Sequence, residues 1–585
     1  MKASTFLAKY LELQGVTHVF ELVGGMITHI IDSINIETKI NIVSCHHEQS
    51  AGFAAEGYAR NAGIPGVALA TSGPGATNLI TAIGSCYFDS VPTVFITGQV
   101  NTYELKKEKK IRQLGFQETD IISIVKPLCK KVFQVERVED LPHILEASFE
   151  IALNGRQGPC LIDLPMNVQS ESLEMKLISR FFNKKKEINS DEEDFKKFEI
   201  KFFDEGIDFL KKDIFNAKKP LILAGGGCSN FKNRVVSKKI LKLLNLPVVM
   251  SLLGVDILPY DHPQRVGFIG SYGNRWANKL LAEADLLITI GSRLDIKQTG
   301  SDLEGFCKNK KIWQIEIDEN EVGLRINPDN FLHSSLHFFE HKIRNINFKR
   351  NNHIDSWLKR IDYLKSNYPA IAEYFPEIDE LNPIFVLEKL SLKTKKPKIF
   401  VTDVGQHQMW SAQSLKMNQK DRFITSGGMG AMGFGLPAAI GSYFASKGKE
   451  IFLITGDGSF QLNIQELQTI KRNNIPIKII LFNNNCHGMV RQFQESYFKG
   501  NNQSTVKGYS APNFVEIVRA YGIKAYQMSF FEDIDHAIEF LCIADEAILI
   551  EFPLSVHSKV YPKLAFGKNF GDMEPEIKPT QMEST

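Results

Sequence analysis

Apolar runs recur along the chain in three blocks, and each block repeats a short hydrophobic strand, a glycine-rich turn and a helix. The predicted strands lie at 17–20, 41–45, 66–71 and 92–97, then at 220–225, 246–251, 286–291 and 312–317, and finally at 398–402, 451–455, 477–482 and 547–552. This alternation is typical of parallel sheets with crossover helices. The pattern therefore predicts an α/β fold with three doubly wound parallel-sheet domains.

Polar segments separate the three blocks. The stretch NKKKEINSDEEDFKK at 183–197 predicts a solvated linker, and residues 336–384 form a second charged connection with helical patches. The predicted boundaries are 1–170 for the first domain, 171–205 for a linker, 206–340 for the central domain, 341–380 for a second linker, 381–555 for the third domain and 556–585 for a tail. We expect this tail, rich in Lys, Gly and Pro, to lie over another domain.

Composition argues against several functional classes. The 585 residues carry 69 Lys plus Arg against 67 Asp plus Glu, so no strong field points to nucleic acid or an anionic membrane. No apolar run reaches the roughly 18 residues of a spanning helix, and the N-terminus predicts an amphipathic helix instead of a signal peptide. The eight cysteines form no CxxC pair. We expect a cytoplasmic protein with reduced thiols.

The third block contains a candidate metal site. Asp457, in the motif GDG, follows one predicted strand, and Asn484 follows the next. A right-handed crossover brings the ends of two such strands to the same edge of a sheet. A carboxylate and an amide oxygen suit Mg²⁺, which completes its octahedron with phosphate oxygens and water. The alternative is an ordinary Gly-Asp turn beside an Asn-rich loop.

The residues around GDG predict an anion site beside this metal. Gly456 and Gly458 allow the backbone to approach a phosphate, and Ser459 is predicted to begin a helix whose free N–H groups attract an anion. A single helix is predicted over 461–472.

Several long segments carry a family resemblance. They are HEQSAGFAAEGYAR at 47–60, TSGPGATN at 71–78, FQE at 116–118, VGQHQMW at 404–410, SGGMGAMGFGLPAAIG at 426–441 and GDGSF at 456–460. Over nearly its whole length the chain resembles the acetolactate synthase branch of the thiamine-diphosphate-dependent enzymes. The resemblance implies pyrimidine-binding, central and diphosphate-binding domains, in a homodimer or homotetramer with the active site between subunits.

The resemblance also implies roles for individual residues of the third block. The metal ligands are Asp457, Asn484 and the backbone carbonyl of Cys486. The cofactor-binding residues are Val404, Gly405, Gln406, His407, Gly430, Met432, Gly456, Gly458, Ser459, His487, Gly488 and Met489. Among them, the backbone of Gly430 partners the 4′-amino group, and Met432 supports the bent form of the cofactor.

Glu48 matches the glutamate that bonds N1′ of the aminopyrimidine and so starts the chemistry. In isolation, HEQ is better explained by a helix-capping Glu beside two histidines than by catalysis, and the family context reverses this preference. Phe116 and Gln117 match residues that line the substrate channel of the family, and a plain loop is the alternative.

The central block resembles the flavin-binding part of the family. Its glycine clusters at 224–227, 267–273 and 291–300 suit a pyrophosphate, and Arg293 and Glu316 are the best candidates for binding FAD. Two features depart from the family: DIKQ replaces an acid-acid-Arg run, and Tyr272 replaces a common His. The alternatives are another nucleotide or an empty domain.

The reaction implied by the resemblance is decarboxylation of pyruvate and transfer of the two-carbon hydroxyethyl unit to a second keto acid. Met26, Phe493 and the pair Met166-Asn167 depart from residues common near the acceptor, and a changed pocket indicates a changed acceptor. One alternative is transfer to another ketone, such as a nucleotide-linked keto sugar. Another is a flavin-linked pyruvate oxidase. A catalytically silent interaction protein would lack Glu48 or Asp457, and both are present.

Overall fold

The computed structural model describes residues 1–182, 200–374, 381–393, 396–446 and 448–577. It contains three six-stranded parallel sheets with helices between the strands, which confirms the predicted α/β class. We call the parts of the chain around these sheets the first, central and third regions. The linker predicted at 183–197 lies outside the described residues, and the boundaries between domains stay a prediction.

The first and third sheets share one strand order, and the central sheet has another. The first sheet contains β1 (His18–Leu22), β2 (Asn41–Ser44), β3 (Gly66–Ala70), β4 (Thr93–Gln99), β5 (Lys131–Gln134) and β6 (Pro159–Pro165), in the order β2-β1-β3-β4-β6-β5. The central sheet contains β7 (Pro220–Ala224), β8 (Val248–Met250), β9 (Arg265–Phe268), β10 (Leu286–Ile290), β11 (Lys311–Glu316) and β12 (Asn330–His333), in the order β12-β11-β10-β7-β8-β9. The third contains β13 (Lys398–Thr402), β14 (Arg422–Ile424), β15 (Glu450–Gly456), β16 (Lys478–Asn483), β17 (Lys524–Gln527) and β18 (Ile548–Pro553), in the order β14-β13-β15-β16-β18-β17. The central order is that of dinucleotide-binding folds.

Helices cover the sheets. In the first region they are Ala3–Leu13, Thr28–Glu37, Glu48–Ala62, Pro74–Asn78, Ile80–Phe88, Ile121–Val125, Leu141–Leu153, Met166–Ser170 and Met175–Phe182. In the central region they are Ile200–Asn216, Gly226–Ser229, Arg234–Leu244, Arg275–Glu283, Ile296–Thr299, Leu303–Cys307, Leu336–Ile343 and Ile354–Asn367. In the third region they are Pro383–Lys393, Gln406–Ser414, Gly435–Ala445, Asp457–Leu462, Leu467–Arg472, Gly488–Tyr497, Phe514–Ala520 and Ile534–Ile543. None of the described helices is long and apolar enough to cross a membrane.

All predicted strands are present, but β5, β6, β9, β12, β14 and β17 were not predicted. Four of the missed strands, β5, β9, β12 and β17, are short and lie in outer positions of their sheets with polar residues among the apolar ones. The strand β6 is fully buried, and Asp163 and Pro165 interrupt its apolar run. The remaining missed strand, β14, has only three residues. An apolar-run criterion misses all of these strands.

The helix predicted over 461–472 is wrong. One helix begins at Asp457 and ends at Leu462, and a second begins only at Leu467. Asn463 breaks the helix with φ −130° and ψ 31°, and its side-chain Nδ2 donates to the Gly433 carbonyl at 2.7 Å. Asn competes well for such local bonds outside a helix. Ser459 therefore lies in the first turn of a helix that starts two residues earlier.

The first and third regions are joined by two tightly packed helices, Glu48–Ala62 and Gly435–Ala445. A Cβ on Gly57 would collide with the carbonyl of Ala438, so only glycine permits this approach. Asn61 Nδ2 donates to Ser442 Oγ at 3.2 Å across the same contact. Small residues let helix backbones approach closely, and the pair fixes the first region on the third.

The C-terminal tail crosses the central region, as expected. The backbone N–H of Leu564 donates to the Ser271 carbonyl at 2.8 Å, and Arg275 Nη1 donates to the Met573 carbonyl at 2.8 Å. Before it reaches the central region, the tail passes the ends of the third sheet, where it contributes Ser558 to the candidate site.

Candidate active site

The candidate site lies at the carboxyl edge of the third sheet. Strands β15 and β16 are parallel neighbours, with Gly456 paired to Phe482. Asp457 follows the end of β15 and Asn484 follows the end of β16, so both residues leave the sheet at the same edge. The turn Val404–Gly405 leaves β13, the neighbour of β15 on its other side. The topology thus brings together three of the predicted segments.

Asn484 is held with its amide oxygen free. Its Nδ2 donates to Gln406 Oε1 at 2.8 Å and to Ser558 Oγ at 3.1 Å, which uses both amide hydrogens. Gln406 Nε2 in turn donates to the Ser558 carbonyl at 2.8 Å. Among the described residues, no donor reaches Asn484 Oδ1. This oxygen is available to a hard cation.

Asp457 is buried at the same edge and accepts a hydrogen bond at its Oδ2 from the Tyr509 hydroxyl at 2.8 Å. Burial raises the pKa of Asp457 to about 6, against the opposing effect of Tyr509 and of nearby backbone N–H groups. A bound cation would oppose this desolvation and favour the carboxylate. Tyr509 also packs its ring on His487, with ring centroids 4.4 Å apart.

The Cys486 carbonyl already accepts the N–H of Gly488 at 2.9 Å. A carbonyl oxygen has a second lone pair, so this bond is compatible with the metal-ligand role that the resemblance implies. The thiol of Cys486 lies 3.6 Å from the Val556 carbonyl, so the thiol has a partner of its own.

His407 supplies an unpaired donor or acceptor beside two glycines. Its Nε2 is buried and has no hydrogen-bond partner among the described residues. Burial lowers its pKa to about 3, so the imidazole is neutral. A Cβ on Gly456 would lie 2.8 Å from His407 Nδ1, and one on Gly405 would lie 2.5 Å from Cε1 of the same ring. A Cβ on Gly458 would lie 2.8 Å from the neighbouring His487 ring. An orphaned buried nitrogen next to such glycines fits a phosphate oxygen.

Ser459 ties two of these turns together, because its Oγ donates to the Val404 carbonyl at 2.6 Å. Gly430 has φ +64°, and a Cβ there would meet no atom within 4 Å. The backbone at Gly430 is thus open to a ligand. Met432, two residues later, is half-buried.

Glu48 stands at the start of helix Glu48–Ala62, where His47 caps the helix by accepting the Gln49 N–H at 3.0 Å. The Glu48 carboxylate is buried and accepts from Asn78 Nδ2 at 2.9 Å. A Cβ on Gly75 would lie 3.2 Å from its Oε1. Within the described chain, Glu48 makes no hydrogen bond or ion pair with the third region.

Gln117 lies beside the segment that holds Glu48. A Cβ on Gly73 would lie 3.0 Å from Gln117 Cβ, and Gln117 itself has φ +64°. The turn 71–78 therefore brings Glu48 and Gln117 to one edge of the first sheet. The neighbouring Phe116 is 78% exposed.

A cavity of about 480 Å³ lies where the central region meets the first and third regions. Arg293 and Glu316 both line it, together with Val404, Gly405 and Met489 of the candidate site. Burial raises the pKa of Glu316 to about 7, and its Oε1 accepts the Ile317 N–H at 3.0 Å.

The DIKQ run at 295–298, which differs from the family pattern, forms hydrogen bonds within its own loop. Gln298 Nε2 donates to Asp295 Oδ2 at 2.9 Å, and Ser292 Oγ donates to Gln298 Oε1 at 2.5 Å. Arg293 Nη2 lies 4.0 Å from Asp295 Oδ2, which leaves its guanidinium able to meet a ligand.

Sequence reasoning missed Tyr509 and Ser558. Tyr509 lies in an irregular segment, and Ser558 lies in the tail, far in sequence from the motifs that it supports. Neither stands in a glycine-rich or charged pattern, so the sequence offers no local signal for either residue.

Comparison with known proteins agrees with this architecture. Three thiamine pyrophosphate enzyme models match the chain: the N-terminal TPP binding domain over residues 1–124, the central domain over 207–338 and the C-terminal TPP binding domain over 403–552. A protein with three such domains and a candidate diphosphate edge is a thiamine-diphosphate-dependent enzyme.

Relatives narrow the class. The chain is 35% identical to a probable acetolactate synthase large subunit of Methanococcus aeolicus, over 96% of this chain and 94% of that protein. It is 34% identical to the acetolactate synthase large subunit of Lactococcus lactis, over 97% and 95%. It is 33% identical to the acetolactate synthase isozyme 1 large subunit of Escherichia coli, over 96% and 95%. The chain belongs to the acetolactate synthase family of thiamine-diphosphate-dependent enzymes.

Proposed function

We propose that this protein decarboxylates pyruvate and transfers the two-carbon unit to a second keto acid, forming an acetolactate. The names of its relatives, which are acetolactate synthases, favour this reaction over transfer to a sugar ketone and over flavin-linked oxidation of pyruvate. The observation that carries the proposal is the meeting of Asp457, Asn484 and the unpaired His407 nitrogen at one sheet edge.

Asp457 Oδ1, Asn484 Oδ1 and the Cys486 carbonyl would hold Mg²⁺. The freed Asn484 oxygen, the buried carboxylate and the backbone carbonyl form an all-oxygen donor set, which Mg²⁺ prefers. Phosphate oxygens of the cofactor would complete the coordination. The supporting bonds from Tyr509 and Gln406 keep the two side chains oriented.

The backbone of Val404–His407 and the turn Gly456–Ser459 would hold the diphosphate, with His487, Gly488 and Met489 beside them. Thiamine diphosphate held there would supply the carbanion chemistry that the reaction of a 2-keto acid needs. Glu48 would bond N1′ of the aminopyrimidine and hold the proton there. Gly430 and Met432 would orient the pyrimidine ring, while Phe116 and Gln117 would line the substrate entrance.

This division of roles supports a homodimer or homotetramer with the active site between subunits. Glu48 bonds only to its own region within the described chain, whereas the metal and diphosphate residues lie in the third region. A site completed between two subunits would bring the Glu48 of one subunit to the sheet edge of the other.

The central cavity is proposed to bind FAD through Arg293 and Glu316. The central sheet, whose residues line this cavity, has the strand order of dinucleotide-binding folds. Val404 and Met489 also line the cavity, which connects it with the proposed diphosphate site. A cytoplasmic location is proposed as well, and it agrees with eight free cysteines.

The test is incubation of the purified protein with pyruvate, thiamine diphosphate and Mg²⁺, with the products identified by NMR. The proposal expects 2-acetolactate and carbon dioxide without any added acceptor. Pyruvate decarboxylation that requires a different added ketone would contradict the keto-acid acceptor. No consumption of pyruvate under any of these conditions would contradict the proposed donor.

A further inference from the structure

The segment that carries Gly430 and Met432 is held at both ends by buried carboxylates. At one end, Asp89 accepts the backbone N–H of Gly427 at 2.9 Å and that of Gly428 at 2.6 Å. At the other end, Asp403 accepts the N–H of Gly433 at 3.0 Å and that of Gly435 at 2.8 Å. The segment 427–435 is therefore suspended between the first region, which supplies Asp89, and the third, which supplies Asp403.

Asp89 belongs to an ion-pair cluster in which both carboxylates are buried and the Arg60 side chain is 13% exposed. The Asp89 side chain is 0% exposed, and its Oδ2 lies 2.6 Å from Arg60 Nη2. Arg60 Nη2 also lies 2.6 Å from Glu56 Oε1. The Arg60 guanidinium thus neutralises two carboxylates, but of these two only Asp89 accepts hydrogen bonds from the segment 427–435. Hydrogen bonds from backbone N–H groups to a charged carboxylate are stronger than neutral ones.

The contact with Asp89 is also sterically tight. A Cβ on Gly428 would lie 2.7 Å from Phe88 Cβ and 2.9 Å from Asp89 Oδ1. A Cβ on Gly84 would lie 2.7 Å from the Met429 sulfur. The segment therefore rests directly on the end of helix Ile80–Phe88, and its glycines permit this approach.

We propose that Asp89 is a positioning residue for thiamine diphosphate. By fixing Gly427 and Gly428, it sets where Gly430 and Met432 stand relative to the diphosphate edge. A glycine-rich segment without this anchor would sample many backbone conformations, and ordering it would weaken binding of the cofactor. This proposal rests on the proposed function, because it assumes that Gly430 and Met432 meet the pyrimidine.

The test compares Asp89→Asn with Glu56→Gln. Both substitutions weaken the same buried cluster, but only the first removes a carboxylate that holds the segment. The dissociation constant of thiamine diphosphate is measured on the cofactor-free full-length protein at fixed Mg²⁺ by fluorescence titration. We expect Asp89→Asn to raise it about tenfold, equivalent to about 1.4 kcal/mol. We expect Glu56→Gln to leave it unchanged, although both variants lower the thermal unfolding midpoint.

An unchanged dissociation constant in Asp89→Asn would overturn the proposal, and so would an equal rise in Glu56→Gln, because the cluster would then act through stability alone. If Asp89→Asn does not fold, Gly428→Ala tests the same contact from the other side, and we expect it to raise the constant as well. An unchanged constant in that variant also overturns the proposal.

The titration contains no substrate, so its outcome is separate from the identity of the acceptor. A wild-type protein that binds thiamine diphosphate but makes no acetolactate leaves Asp89 testable and contradicts only the proposed reaction. A wild-type protein that binds no thiamine diphosphate would overturn both.

Discussion

The first and third sheets have the same strand order, and in each the second strand along the chain leads toward a helix that packs on its counterpart. Their carboxyl edges nevertheless hold different chemistry. In the first region the loop after β2 ends in the buried acid Glu48. In the third region the loop after β14 carries Gly430 and Met432, while metal-ligand and diphosphate candidates follow β13, β15 and β16. Under the proposed function, one fold therefore supplies two unlike halves of a cofactor site.

The two edges also differ in how complete they are within one chain. The third-region edge is cross-linked by its own side chains, with Asn484 bonded to Gln406 and Asp457 bonded to Tyr509. Glu48 bonds to Asn78 of its own region. Under the proposed function, the third edge is preformed to bind cofactor and metal, and Glu48 is preformed to act on a cofactor held elsewhere. The following predictions separate these two roles.

Glu48→Gln gives the largest expected effect. Removal of the acid should lower turnover at saturating cofactor by roughly 10²–10⁴-fold, which is the usual contribution of a general acid or base. The affinity for thiamine diphosphate should change far less, because the third edge is untouched. Steady-state kinetics and a cofactor titration measure the two quantities. Glu37→Gln, at a surface pair with Lys9, is the matched control, and near-normal turnover in Glu48→Gln would refute its role.

Asp457→Asn should instead weaken the binding of Mg²⁺. Loss of the charged ligand should lower the affinity for Mg²⁺ by more than the roughly 10–100-fold that loss of a supporting hydrogen-bond partner costs. Activation by Mg²⁺ at fixed thiamine diphosphate provides the measurement. Asp140→Asn, at an exposed pair with Arg137, should leave the activation curve unchanged. An unaltered curve in Asp457→Asn would place the metal elsewhere.

Tyr509→Phe should have a smaller effect on the same quantity. The substitution keeps the ring that packs on His487 but removes the hydroxyl that donates to Asp457. Loss of this partner should lower the affinity for Mg²⁺ about tenfold. Turnover at saturating Mg²⁺ should stay close to that of the wild type. Tyr526→Phe is a control outside the site. A fall in turnover that excess Mg²⁺ does not restore would contradict a purely supporting role.

Substitutions in the central cavity should have the smallest effect, and this effect should be on the affinity for FAD. Glu316→Gln and Arg293→Gln should each reduce the affinity for FAD several-fold, as the net loss of one ordinary hydrogen bond does, without a change in the affinity for thiamine diphosphate. The flavin absorption band of protein incubated with FAD gives the affinity. A wild-type protein that has no such band and takes up no FAD would contradict the assignment of this cavity.

The sequence predicted those parts of the molecule that depend on local pattern. Buried strands of continuous apolar residues and the glycine-rich turns after them were predicted correctly. Both depend on hydrophobic pattern and turn residues within a few positions of one another. The break at Asn463 was missed because it depends on Gly433, thirty positions away. Tyr509, Ser558 and Asp89 were missed for the same reason: each acts on a motif through a contact between distant segments.

The most direct test of the central claim, that the two edges complete one another across subunits, is complementation. Glu48→Gln and Asp457→Asn chains with different affinity tags are mixed, refolded or coexpressed, and the mixed dimers are isolated by sequential purification. In a mixed dimer one site has both defects and the other has neither. We predict that isolated mixed dimers recover about half of the wild-type turnover per dimer, as a two-site symmetric assembly requires. Turnover no higher than that of either parent variant would contradict the account.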